Sequence, residues 1–102
     1  MTPEARTQGL MFRNELGPQE GMLFIFPTEE IYPFWMKNTY IALDIIWLNK
    51  SKEVVFVKEG AEPCSEESCP VIHPDRKALY VLEVIAGTVR NAGLKVGGSF
   101  SF

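Results

Sequence analysis

The fold class predicted for this chain is mainly β (β-rich α+β): a small, largely antiparallel barrel or sandwich with one or two short helices. Three observations predict it. Apolar runs of strand length recur from Met22 onward. Turn formers separate them, and the helix signals are confined to two short stretches closed by glycine.

The elements follow in order. Thr2-Pro3-Glu4-Ala5 predicts a helix start, with Thr as cap, Pro at the first helical position and Glu at the positive end. Gly9 closes that helix, and Leu10-Met11-Phe12 dock it. Arg6 and Arg13 bracket this turn and can reach carboxylates elsewhere or water. Glu15 to Gly21 is a loop by composition, and Met22 to Phe26 is a continuous apolar strand ended by Pro27. Its lack of alternation predicts that both faces are covered.

After a connector from Thr28 to Pro33, the run Phe34 to Thr39 is expected as a strand. A period of two puts Phe34, Met36 and Asn38 on one face and Trp35, Lys37 and Thr39 on the other. Leu43 to Leu48 and Glu53 to Lys58, joined by Asn49-Lys50-Ser51-Lys52, form the clearest hairpin. Gly60 to Lys77 is a long polar loop with three prolines and both cysteines. Loops of this length in compact domains are commonly functional or tied down. Leu79 to Ile85 is a strand carrying Glu83, and Gly87 to Gly93 is a short helix. Leu94 to Phe102 finishes as a turn and an alternating edge strand.

The chain of 102 residues is expected to be one domain, residues 1–102, with a single core. Hydrophobic residues at 46% and charged residues at 23% match an ordinary globule and argue against disorder. A net charge of −3 and scattered basic residues argue against a nucleic-acid surface. No apolar run approaches the roughly 20 residues that a membrane-spanning helix needs.

Cys64 and Cys69, five apart, admit three readings. They form a small disulfide loop, which places the domain in an oxidising compartment. They hold a soft metal with His73, although two thiolates and one imidazole fall short of a four-ligand zinc site. Or they are two inert thiols. The disulfide is favoured, because Glu66 and Glu67 discourage a reactive thiolate.

Three charges break the apolar pattern: Lys37 among aromatics, Asp44 within Leu43-Asp44-Ile45-Ile46, and Glu83 within Val81-Leu82-Glu83-Val84. Buried charges must be paired, hydrogen-bonded or neutral. A cluster of Lys37 with Asp44 or Glu83, helped by Arg6, Arg13 or Asn38, meets that requirement. Such a cluster is either a polar plug within the core or part of a cleft. Asp44 and Glu83 are the weak catalytic alternative, since glycoside hydrolysis needs two carboxyls. His73, in a proline-rich loop, reads as solvated, and no phosphate-cradling glycine motif is present. Met11, Met22 and Met36 beside Trp35 suggest a Cu(I) site only remotely, because core methionines are far commoner. No metal or cofactor is expected.

Several motifs together resemble one family. They are Arg6-Thr7-Gln8-Gly9-Leu10-Met11-Phe12-Arg13, Gly21 to Pro27, Phe34-Trp35-Met36-Lys37-Asn38-Thr39, Leu43-Asp44-Ile45-Ile46, Cys64 to Pro70, and Tyr80-Val81-Leu82-Glu83 through Gly87. In this order they resemble the domain of unknown function 192 family over nearly the whole chain. The resemblance implies a small β domain, often behind a signal peptide or lipoprotein leader, and therefore an extracytoplasmic location. It implies that relatives carry one more strand or a leader at the start. Arg13, Trp35, Lys37, Asn38, Asp44 and Glu83 are implied as the characteristic cluster. The family has no assigned activity.

The favoured function is a non-catalytic binding module of the cell envelope. Its aromatic and polar groove is expected around Phe34 to Thr39, lined by Phe34, Trp35 and Tyr40, with Arg13, Lys37, Asn38, Asp44 and Glu83 orienting a small ligand, glycan or peptide. A hydrolase or lyase acting on an envelope polymer through Asp44 and Glu83 is one alternative; it needs an open cleft between the two. A structural accessory domain with a buried polar cluster is the other.

Overall fold

The computed structural model describes Leu10, Met11 and residues 20–102. Within them lie β1 (Gly21–Glu30), β2 (Phe34–Trp35), β3 (Leu43–Leu48), β4 (Val54–Ala61), β5 (Val71–Ile72), β6 (Ala78–Ile85) and the short helix α1 (Thr88–Ala92). A four-stranded sheet has the order β1-β6-β3-β4, and β2 pairs with β5 in a small second sheet. All pairings between these strands are antiparallel. The expected mainly β, antiparallel architecture is present. Among the described residues the large sheet stays open, with β1 and β4 at its edges, and is not closed into a barrel.

β3 is the centre, and all six of its residues are buried. Its register with β6 sorts the side chains. Leu43, Ile45 and Trp47 lie opposite Ile85, Glu83 and Val81 on one face; Asp44, Ile46 and Leu48 lie opposite Val84, Leu82 and Tyr80 on the other. The first face packs with Phe24, Met36 and Leu10, and with Phe34 and Ile72 of the small sheet. Trp47 meets Phe34 and Phe56 edge-to-face at 5.6 and 5.3 Å, and its indole N–H donates to the Tyr32 carbonyl at 2.9 Å. The second face packs with Val54, Val89 of α1, Leu94 and Phe100. The sheet is covered on both sides.

The hairpin of β3 and β4 forms as expected, with irregular register after Leu43 and before Leu48. Three expectations need correction. β1 runs on through Pro27 to Glu30, and it lies at an edge with Ile25 46% exposed, so its unbroken apolar run does not mean two-sided burial. Proline is tolerated there because an edge strand with a register shift between Ile25 and Glu30 needs no donor from it. Residues 94–102 form turns and one isolated bridge, Ser99 to Glu53, instead of a strand. They are held along the start of β4 by Val54 N–H to Gly98 O and Gly97 N–H to Val54 O. The helix expected from Thr2 to Gly9 lies outside the described residues, although Leu10 beyond it is in the core as anticipated.

Asp44 joins three parts of the chain. Its Oδ1 accepts the N–H of Gly60 at 2.9 Å, and its Oδ2 accepts those of Gly87 at 3.0 Å and Val89 at 2.9 Å. Gly60 and Gly87 both have positive φ, 61° and 98°, a conformation that costs glycine little and other residues more. The carboxylate thus satisfies the end of β4 and the orphan donors at the start of α1. Its desolvation is offset by three directed bonds.

Replacing Asp44 by Asn substitutes an amide N–H₂ for one acceptor oxygen and leaves buried donors unmatched. Asp44→Asn is expected to lower stability by about 3 kcal/mol in urea unfolding. A loss under ~0.5 kcal/mol would show that the three bonds are dispensable. Gly21 presents a different constraint: a Cβ there lies 2.7 Å from the Glu83 carbonyl oxygen. Gly21→Ala must push β1 off β6, and a loss of ~1–3 kcal/mol is expected in the same assay.

Candidate functional site

The chain from Phe34 to Thr39 is a strand only at its start. Phe34 and Trp35 pair with Ile72 and Val71 in β2 and β5, and the backbone then turns. Asn38 has a φ of 56°, which asparagine tolerates better than most residues, and Thr39 N–H donates to Met36 O at 3.0 Å. Met36 and Thr39 are consequently both buried, although alternation placed them on opposite faces.

Cys64 and Cys69 are joined in a disulfide. The loop it closes docks on the turn: Lys37 and Thr39 each bridge to Cys64, and Asn38 N–H donates to Cys64 O at 2.8 Å. The Lys37 ammonium donates to the carbonyl oxygens of Glu66 and Glu67. Several acceptors do meet this lysine, but they are backbone carbonyls and not a carboxylate. Lys37 and Asn38 fasten the disulfide loop.

The predicted cluster of Lys37 with Asp44 or Glu83 is therefore not assembled. No ion pair joins them among the described residues. Asp44 and Glu83 are also kept apart from each other. Asp44 lies opposite Val84 and Glu83 opposite Ile45, so successive positions on β6 send the two carboxyls to opposite faces of the sheet. Asp44 is completely buried. The open cleft between the two acids that hydrolase or lyase chemistry requires is absent.

Glu83 sits on the aromatic face. It is 5% exposed, and Met22 and Ile45 flank it on the neighbouring strands. Among the described residues, nothing donates a hydrogen bond or an ion pair to its carboxyl. Burial raises its pKa from 4.5 to about 7. The side chain borders a hollow of about 110 Å³, whose described walls are Leu10, Met11, Phe24, Pro33, Phe34, Trp35 and Thr39. Trp35 is 47% exposed, so the hollow has an aromatic rim open to water and an acid within. Phe24 and Phe34 meet edge-to-face at 5.1 Å below it.

A larger cleft, about 550 Å³, lies on the other side of the same run. Met36, Lys58, Ala61, Cys64, Glu66 and Ile72 are among its walls, with the rest from residues 60–70. Of these, only Cys64 of the disulfide and Met36, raised for a remote copper site, figured among the candidates. Only the length and proline content of the loop pointed there. Size favours the cleft, since small-molecule sites usually span 300–1,000 Å³. Chemistry favours the hollow. Lys58, Glu62 and Glu66 are exposed and keep their water, whereas the Glu83 carboxyl has lost most of its own.

Of the candidates, Phe34, Trp35 and Glu83 converge on the hollow, joined by Thr39 from the end of the same run and by Met11, which had been raised only for a remote copper site. Tyr40 is 44% exposed and is not among the described walls of either cavity. Arg13 and Arg6 lie outside the described residues. His73 is exposed, and no group of three or more metal-binding side chains occurs among the described residues.

Fold and site define a small antiparallel β domain with a disulfide-fastened loop and an isolated acid in an aromatic hollow. Over residues 1–102 the chain matches the model of the DUF192 family (Uncharacterized ACR), and it belongs to that family. A crystal structure of a protein of unknown function from Novosphingobium aromaticivorans DSM 12444 is similar at 35% identity and a TM-score of 0.90, covering 99% of this chain and 70% of that one. A protein from Sinorhizobium meliloti 1021, described as a putative transcription regulator, is similar at 38% identity and a TM-score of 0.89, covering 96% and 74%. A comparison with curated proteins gives no match.

The raised pKa of Glu83 has a sign that can be checked. The folded state holds the proton more tightly than the unfolded chain, so no penalty arises below pH 4.5. Stability is then lost as pH rises from 4.5 through about 7, by about 3 kcal/mol in all. Chemical denaturation of wild type and Glu83→Gln across pH 4–8 should show the variant gaining on the wild type over that interval. A constant difference would mean that the carboxyl does not titrate there.

Proposed function

We propose that this chain is a non-catalytic binding module whose site is the Glu83 hollow. One observation carries the proposal: a largely desolvated carboxyl, with no hydrogen-bond or ion-pair partner among the described residues, lines a hollow rimmed by a half-exposed tryptophan. A carboxyl that has given up most of its water in a concave aromatic setting is where a ligand gains by supplying a partner. Catalysis by a pair of acids lacks its geometry, because Asp44 is engaged by backbone on the opposite face.

The setting we propose is extracytoplasmic, at the cell envelope, supported by the Cys64–Cys69 disulfide. Among the described residues no helix is long and apolar enough to cross a membrane. A regulator acting on DNA, as the description of the Sinorhizobium relative would suggest, fits the net charge of −3 poorly.

The test is a thermal-shift screen against oligosaccharides, cell-wall fragments, short peptides and small amines at fixed pH and salt. A ligand at about 100 times its Kd should stabilise the protein by roughly 2.7 kcal/mol, and Trp35→Ala should abolish that shift. A flat screen, or a hit indifferent to Trp35, would leave the structural accessory role instead.

A further inference from the structure

We propose that the hollow receives an alkylammonium group, with Glu83 as counter-ion and the aromatic and aliphatic walls enclosing the attached carbons. This rests on the binding role above and names the chemistry of its ligand.

The composition of the walls selects the ligand. Glu83 and Thr39 are the only polar side chains among the described residues that line the hollow; the others are Leu10, Met11, Phe24, Pro33, Phe34 and Trp35. A sugar ring would bring several hydroxyls to a site with two polar side chains, and each unmatched one would be desolvated without return. A hard metal ion needs six or more oxygens, and one carboxyl does not approach that. A cationic amine needs one carboxylate, favours aromatic faces through their quadrupoles, and carries methylenes or methyls that apolar walls accept. Size agrees. At about 110 Å³ the hollow lies well below the roughly 300–1,000 Å³ usual for small-molecule sites, so only the tip of a longer molecule enters.

The charge environment is equally selective. Met22 and Ile45 flank Glu83 on β1 and β3, and none of the other described walls carries a charge. The nearby lysine of the central run, Lys37, is turned to the carbonyls of Glu66 and Glu67. Among the described residues no cation reaches the acid. Ionisation of Glu83 and cation binding are therefore linked: each favours the other.

The experiment uses ¹⁵N-labelled protein titrated with choline, with its neutral isostere 3,3-dimethylbutan-1-ol, and with n-butylammonium. Shifts are followed at the Trp35 indole N–H. At pH 8 the cations should bind at least about tenfold tighter than the isostere, because only they meet the carboxylate. Glu83→Gln, whose fold the same spectra verify, should erase that preference. Wild-type affinity for the cations should fall about tenfold at pH 6, where most of Glu83 is protonated. That arm needs no variant. A tighter n-butylammonium identifies a primary amine such as a lysine side chain; a tighter choline identifies a quaternary headgroup. Equal binding of cation and isostere, or an unchanged preference in Glu83→Gln, overturns the ammonium assignment while leaving a site at Trp35. Failure of every probe to move Trp35, with a flat thermal-shift screen, overturns both.

Discussion

Three backbone N–H groups from distant parts of the chain converge on the Asp44 carboxylate, and the rest of the structure depends on that convergence. A completely buried carboxylate without directed donors would be among the most expensive groups a small domain could carry. Here it becomes the point at which the end of β4 and the first turn of α1 are set against the central strand. Glycines at positions 60 and 87 let the backbone turn its N–H groups inward. The cover on one face of the sheet is anchored by this bond set, and the hydrophobic contacts of Val89, Leu94 and Phe100 complete it.

With one face closed by Asp44, the other is free to differ. It holds the larger aromatic cluster around Trp47, Phe24 and Phe34, and at its margin lies Glu83, which among the described residues lacks donors such as those of Asp44. The two acids occupy comparable strand positions and have opposite fates. One is satisfied by backbone and organises the fold; the other, without a partner among the described residues, borders the hollow proposed as the ligand site. Parity of register separates them.

The central aromatic run divides the two cavities. Phe34, Trp35 and Thr39 face the hollow, whereas Met36 faces the cleft beneath the disulfide loop. Lys37 and Asn38 tie that loop to the run through backbone oxygens. The polar residues in the middle of FWMKNT thus serve attachment, and its aromatic residues carry the candidate site.

Much of this was legible in the sequence alone. Apolar runs and turn chemistry identified the β3–β4 hairpin, glycines bounded α1, and misplaced charges singled out Lys37, Asp44 and Glu83. Those signals are local: they depend on alternation, on capping and on the cost of burying charge. What each charge meets was decided by tertiary structure. Alternation says which residues of one strand share a face, but the phase between two strands is set only when they pair, so nothing local could show that Asp44 and Glu83 point apart. Lys37 finds its acceptors 29 and 30 residues away, in carbonyls that every residue possesses and that leave no mark in the sequence. The exposure of β1 at an edge follows in the same way from sheet order, a property of the whole chain and of no segment in it.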